Sequence, residues 1–363
     1  MKNKIKNVFS NGFGQLTIPI IAILILVVFN LIRDPGFFSI ELTQNNDGNN
    51  VLAGNLISII DNASELAIIA MGMTLVTAAC GGQDISVGAA AAIAGSAFVK
   101  ILSTAGTDGI SGGLVIAAFL FACVVAMLFG AFNGTLVAVF KIQPMIATLI
   151  LFTCGRSIAY WISGSATPNV ASPIIDGIGR IIPGVPIPTP VLIVIVVAII
   201  FKLVFHFTSL ELLTQSVGIN GNAARVNGIN STFIKILSFI ILGICVAVAG
   251  SIGVCRMGQV SHDTLLLDIE MDAILAVAIG GNNLGGGKFK ISGSILGAYI
   301  IQMLTITLYA MKVRSTDVKA YKAIVIILLV VIGSPVVKAK VNKLISRLRS
   351  GKNKASEKGA ERT

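Results

Sequence analysis

Charge is scarce along these 363 residues: only 12% are Asp, Glu, Lys or Arg, where a soluble domain carries about 25%. The length alone would allow two soluble domains, but the apolar runs leave almost no material to build them. Histidine occurs twice, at His206 and His262, in connections that the span count below puts on opposite sides of a membrane. No nucleophile and base fall together, so an intramembrane enzyme has no site. The five cysteines, Cys80, Cys123, Cys154, Cys245 and Cys255, form no CxxC pair. Most fall in apolar runs and read as small core residues, not as a disulfide framework or metal site. A phosphate-binding loop is missing as well. It needs GxxxxGK followed by Ser or Thr, but Gly287-Lys288 is followed by Phe289, and Asn282 holds the position of the first glycine. The chain therefore lacks an ATPase of its own.

What is present is apolar. Hydrophobic residues make up 55% of the chain, and the mean hydropathy is +0.91, the value of a membrane protein. Glycine is abundant, with 38 residues, as expected where membrane helices pack closely through small side chains. The net charge of +11 comes largely from the two ends. Lys2, Lys4 and Lys6 open the chain, and nine Lys or Arg lie between Lys338 and Arg362. Basic ends beside membrane spans indicate topology and contact with anionic lipid, and argue against nucleic acid as a partner.

A crossing helix needs about 20 mainly apolar residues. The chain accordingly divides into a basic cytoplasmic N-terminus (1–15), a transmembrane domain (16–337) and a basic cytoplasmic tail (338–363). The fold class is all-α, a polytopic bundle of about ten transmembrane helices with both termini inside. The first run, Leu16 to Ile32, follows a basic start without a small-x-small cleavage site and reads as a retained anchor. The polar stretch from Arg33 to Asn50 lies outside. A second span, Leu66 to Ala79, is begun earlier by a weaker helix from Leu52 to Ile60. The third, Gly88 to Ile101, repeats Gly88, Ala92 and Ser96 every four residues, which makes a flat face for close packing.

Between these two spans lies CGGQDISVG, Cys80 to Gly88. Its Asp84 reads either as a helix-end cap or headgroup-level charge, or as a polar point near a transport path. Carboxylates at membrane depth are costly and are seldom idle. The fourth span, Leu114 to Phe129, extends toward Phe140. Pro144 opens the fifth, which holds Arg156 and ends with Trp161 as an interface anchor. The segment from Ser163 to Pro190 carries six of the ten prolines and is expected to be stiff and extended, not helical. Later spans cover Val191 to Val204, Phe233 to Val254, Met271 to the glycine run at Ile279, Ile295 to Tyr309, and Ala323 to Val336. One feature runs against the charge rule: Lys312, Arg314, Lys319 and Lys322 fall in a loop placed outside, only partly offset by Asp317.

The connection SVGINGNAARVNGIN, Ser216 to Asn230, is expected to be a small half-polar helix beside the membrane, with Ala223, Ala224 and Val226 near Ile229. It reads either as a plain connector or as a surface for a soluble partner.

Four segments together resemble the permease subunits of bacterial ABC importers for simple sugars, the ribose and galactose type. They are LAIIAMGMTLVTAACGGQDISVG (Leu66 to Gly88), FNGTLVAVFKIQPMIATL (Phe132 to Leu149), GINGNAARVNGIN (Gly218 to Asn230) and MDAILAVAIGGNNLGGGKFKISGSILGAYI (Met271 to Ile300). They stand in the family's order over residues 55 to 336. MDAILAVAIGG and IQMLTITLYA (Ile301 to Ala310) most resemble permeases for galactose in furanose form. The resemblance implies a ten-helix bundle that contributes no ATP chemistry. It implies no cofactor in this chain, with ATP used by a partner ATP-binding cassette subunit at the cytoplasmic face. An external sugar-binding protein and a second permease subunit, identical or homologous, complete the assembly in the inner membrane.

The resemblance also implies an ATPase-coupling loop at Asn222, Ala223, Ala224, Arg225 and Gly228. The family's leading Glu is replaced by Asn222. A basic run that usually precedes the loop is replaced by FHFTSLELLTQSVG, Phe205 to Gly218, without Arg or Lys. Sugar hydroxyls need hydrogen-bonding partners where water is stripped away, and Asp84, Ser86, Asn133, Thr148 and Asn282 are the candidate path-lining groups. Two other classes stay open. A branched-chain amino acid permease shares the architecture, and an ion-coupled secondary transporter would use Asp84 and Asp272.

Overall fold

The computed structural model describes residues 16–44, 50–104, 106, 109–182 and 184–333. The two basic ends and the close of the tenth expected span lie outside the described residues. Among those described, the chain folds into thirteen helices and one two-stranded hairpin.

Helix α1 (Thr17–Arg33) leads to the hairpin β1 (Glu41–Gln44) and β2 (Asn50–Ala53), paired antiparallel with Leu42 opposite Leu52. Helix α2 (Asn55–Cys80) follows, and every side chain from Ala63 to Ala79 is buried. A helix that is apolar on all faces sits inside a bundle, and α2 packs against the later helices Thr189–Phe207, Ser231–Met257 and Ile291–Ala310. The weaker stretch before Leu66 is continuous with that span, but α2 starts at Asn55 because Leu52 and Ala53 belong to β2. The polar Asp61 and Asn62 of α2 are tolerated because later helices reach them: Arg256 binds Asp61, and Gln302 Nε2 donates to the Asn62 carbonyl at 3.0 Å.

Helices α3 (Val87–Leu102), α4 (Gly112–Ala138) and α5 (Pro144–Ile162) form one side. Small residues set their spacing. A methyl on Gly155 of α5 would come 2.9 Å from Ala89 Cβ of α3. Helix α6 (Pro173–Gly179) corrects the expectation of an extended outer loop. Pro173 suits the first helical turn, where its missing N–H is not needed, and Ser172 caps it by accepting from Ile175 N.

Helices α7 (Thr189–Phe207), α8 (Leu210–Ile219), α9 (Gly221–Val226), α10 (Ser231–Met257), α11 (Ile269–Ile279), α12 (Ile291–Ala310) and α13 (Ser315–Gly333) complete the bundle. Six helices among the described residues are long and apolar enough to cross a membrane: α2, α4, α5, α7, α10 and α12. The other four expected spans are α1, α3, α11 and α13, which are shorter or more polar. The 11 residues of α11 reach only about 16 Å, roughly half a hydrocarbon core. Left-handed glycines mark two breaks: Gly81 (φ 63) ends α2, and Gly281 (φ 83) follows α11, in conformations that cost a β-carbon dearly.

Candidate functional site

Asparagine side chains build the candidate coupling segment. Asn220 Oδ1 accepts from Asn222 N at 3.1 Å and Ala223 N at 3.0 Å, which caps α9. Asn227 Nδ2 donates back to the Ala223 carbonyl at 2.9 Å, and Asn230 Oδ1 caps α10 by accepting from Phe233 N at 3.0 Å. Ser231 Oγ donates to the Gly221 carbonyl at 2.8 Å and ties the start of α10 to that of α9. Together α8 and α9 form an arm, with α8 packed against α2 and α9 against α10.

The two alanines divide the work. Ala224 is buried among Leu210, Val217 and Ile234, with Ile229 packed alongside. Ala223, Asn222 and Arg225 are exposed. Val226, expected on the inner face, is instead 88% exposed. The chain leaves the helix at Asn227, so only one inward position, Ala224, fits within so short a piece. Gly228 has φ 81, and a β-carbon there would meet open space, so conformation and not crowding selects glycine.

The arm rests on both helix breaks. A methyl on Gly218 of α8 would overlap the Ala78 carbonyl near the end of α2 and lie 2.7 Å from Gly287 N. Gly287 N itself donates to the Ala78 carbonyl at 3.0 Å. Gln83 Nε2 donates to the Leu284 carbonyl at 3.1 Å, so the break after α2 and the glycine-rich turn after α11 are joined directly.

Four of the five candidate path residues come together at the first break. Asp84 Oδ1 accepts from Ser86 N at 2.7 Å and Ser86 Oγ at 2.6 Å. Asn133 Nδ2 of α4 donates to Ser86 Oγ at 3.0 Å and to Asp84 Oδ2 at 3.5 Å. Thr148 Oγ1 of α5 accepts from Ile85 N at 3.1 Å. All four side chains are buried, and Asn133 Oδ1 has no hydrogen-bond partner. Asn282 stands apart. It donates to the Lys290 carbonyl and to Ser294 Oγ at 2.8 Å and accepts from Lys290 N at 2.7 Å, pinching the glycine-rich turn closed. Ser294 Oγ continues to Thr74 Oγ1 of α2 at 2.6 Å.

Arg256 escaped the sequence reading because its partners lie far away in the chain. Arg256 at the end of α10 binds Asp61 at 2.8 Å and Glu65 at 2.9 Å. The available signal was two acids four residues apart, hence on one helical face. Arg156 pairs inside the bundle: its Nη1 donates to the His262 carbonyl at 2.6 Å. A methyl on Gly88 would overlap Glu270 Oε2 and come within 3.4 Å of Arg156 Nη2, so this glycine leaves room where an acid and a base converge. The four unexpected cations near α13 are mostly matched. Lys319 pairs with Asp268, Lys322 with Asp272 at 2.7 Å, and Arg314 with Asp317 at 3.0 Å. Of the cysteines, Cys154 is exposed, beside an apolar cleft between α4 and α5. No cluster of His, Cys, Asp or Glu among the described residues could hold a metal ion.

Six crossing-length apolar helices, the buried α2 among them, define a multi-pass membrane protein. The family model described as "Branched-chain amino acid transport system / permease component" matches residues 55–333, and the chain belongs to that family. It is 37% identical over 293 residues to the galactofuranose transporter permease protein YtfT of Escherichia coli K12, covering 80% of each chain. It is 33% identical over 352 residues to the fructose import permease protein FruF of Bifidobacterium longum, covering 96% of this chain and 93% of that one. The ribose import permease protein RbsC of Escherichia coli K12 is 32% identical over 319 residues, covering 86% and 92%. No solved structure matches the chain.

Proposed function

We propose that this chain is the membrane-spanning permease subunit of an ATP-driven importer for a monosaccharide, with galactofuranose the first candidate. One observation carries the reading: three relatives named for sugars match it over 80% or more of its length. The family description speaks of branched-chain amino acids, but these relatives favour sugar. An ion-coupled transporter gains little support, because Asp272 is paired with Lys322 and Asp84 with Ser86 and Asn133.

The chain sits in the bacterial inner membrane with both termini cytoplasmic. Helices α1, α3, α11 and α13 join the six long ones to make ten crossings. It carries no cofactor, and ATP is bound and hydrolysed by a cassette subunit that docks on the α8–α9 arm. Asn222, Ala223, Arg225 and Gly228 form that contact, and Ala224 anchors it from behind. An external binding protein delivers the sugar, and a second permease subunit completes the path. Import follows from an equilibrium between inward- and outward-open states, biased by what ATP and sugar bind in each. The arm's seat on the two breaks is how that bias reaches Asp84, Ser86, Asn133 and Thr148, which flank the path, and Asn282, which holds the second break.

Proteoliposomes containing the permease, its cassette subunit and its binding protein test the reading. The expected result is ATP-dependent accumulation of labelled monosaccharide. Uptake of leucine but not sugar, or uptake driven by a proton gradient without ATP, would overturn it.

A further inference from the structure

Beside the arm lies a polar cleft of about 300 Å³. Its walls are the end of α2 at Cys80, the α4–α5 turn, and the junction of α9 with α10. Three cations line it, Lys141, Arg225 and Lys235, and no Asp or Glu does. Its remaining polar lining is neutral, including Gln143, Asn222 and Thr232. None of the three cations forms an ion pair among the described residues. Arg256, Arg314, Lys319 and Lys322 elsewhere each have a carboxylate, whereas three cations share this one cleft without an acid on its walls. Like charges held around a small space repel one another, and an anion entering that space relieves the repulsion.

The surroundings indicate what kind of anion. The arm that carries Arg225 also exposes Leu212 (68%), Ile219 (65%) and Val226 (88%). A small free anion gains nothing from exposed apolar side chains. A protein gains from both, since apolar anchors contribute affinity and a complementary charge fixes register and speeds encounter.

We infer that the cleft receives an acidic side chain of the ATP-binding subunit, which pairs with Lys141, Arg225 and Lys235. The inference rests on the coupling-arm reading and adds the sign of the contact: cations on the permease, a carboxylate on its partner. It also extends the docking surface beyond the arm to the α4–α5 turn and the first turns of α10.

The test treats the full permease, purified in detergent with its cassette subunit, with a carbodiimide. This reagent joins an amine only to a carboxylate already in contact with it. The expected product is an amide between Lys141 or Lys235 and an Asp or Glu of the cassette subunit. Lys141→Gln combined with Lys235→Gln should weaken binding of the subunit roughly tenfold and flatten its salt dependence. Lys141→Arg with Lys235→Arg should restore both, which separates lost charge from lost folding. The inference falls if the subunit binds, no amide forms at either lysine, and the double Gln variant binds as tightly as the parent. It also falls if inorganic phosphate or vesicles of anionic phospholipid shield the lysines from acetylation on the permease alone while the Gln variant binds normally. Failure of the subunit to bind even the unaltered permease would remove the coupling-arm reading itself, and this inference with it.

Discussion

Gly218 of α8 lies directly against the carbonyl of Ala78, so close that a β-carbon would overlap the oxygen. The contact joins the α8–α9 arm to the end of the buried helix α2, with Gly287 of the second break as the third partner. Gly218→Ala should force α8 away from α2 and cost about 1–3 kcal/mol, the usual range for overpacking. Thermal unfolding in detergent should show a lower midpoint, and uptake should fall with it. Gly221→Ala is the control for stability: a methyl there would come no nearer than 3.9 Å to Ser231 Oγ, and the unfolding midpoint should not change.

Asp84 holds the first break by accepting from Ser86 N, Ser86 Oγ and Asn133 Nδ2. Asp84→Ala leaves both Ser86 donors buried without this acceptor, while Asn133 Nδ2 keeps Ser86 Oγ. Each unsatisfied group costs about 1–3 kcal/mol, so the unfolding midpoint should drop clearly. Asp84→Asn keeps one acceptor oxygen for Ser86 but turns an amide toward Asn133, and should recover only part of the loss. Equal stability of all three forms would show that the cluster does not hold the break.

Arg256 clamps α10 to α2 through Asp61 and Glu65. Removing one partner of a buried ion pair costs about 3–5 kcal/mol, because the other charge is left stranded. Arg256→Met should approach the lower end of that range, since the side chains retain some exposure. Arg256→Lys should be intermediate, because an ammonium cannot match two carboxylates with a planar fork. Adding Asp61→Asn and Glu65→Gln to Arg256→Met should recover stability, read again by thermal unfolding.

His262, in the connection between α10 and α11, is buried against the edge of Tyr160 and hydrogen-bonded to Ser163 Oγ at 2.8 Å. Burial lowers its pKa below the ordinary 6.5, with Asp263 opposing the shift. Above 6.5 both folded and unfolded chains hold the ring neutral, and no pH dependence arises. Below it the unfolded chain takes up a proton that the folded chain refuses, so stability is lost as pH falls from 6.5 toward the lowered value. The unfolding midpoint should decline as pH drops below 6.5, and His262→Gln should remove this part of the slope. An unchanged slope in the variant would assign it to other groups.

Long apolar runs bounded by proline, glycine or an asparagine cap were legible, and α4, α5, α7, α10 and α12 fall close to their expected ranges. Those boundaries are set by local chemistry. The partners of the polar start of α2 were not legible, because Arg256 and Gln302 lie some two hundred residues away. A separation of about fifty residues hid the pairing of Asp268 and Asp272 with lysines of α13. Helix α6 was missed because prolines were taken to stiffen the segment, when Pro173 after Ser172 is a helix start. In the arm, the pattern identified a short helix but misplaced Val226, since six residues are too few for a period to fix a face. Among the candidate path residues, Asp84 and Ser86 are neighbours in sequence. That Asn133 and Thr148 meet them while Asn282 serves the other break is a matter of tertiary packing.

The central claim is that an ATP-binding subunit docks on the α8–α9 arm, and Ala223 tests it most cleanly. Its side chain is exposed, so a larger residue there disturbs docking without disturbing the core, whereas Ala224 would unseat the arm itself. The permease and its cassette subunit should be co-purified in detergent, as the parent chain and as Ala223→Glu, with thermal unfolding recorded for both. The account predicts a complex for the parent, no complex for the variant, and the same unfolding midpoint in each. A variant that still carries the cassette subunit at parental yield would contradict it.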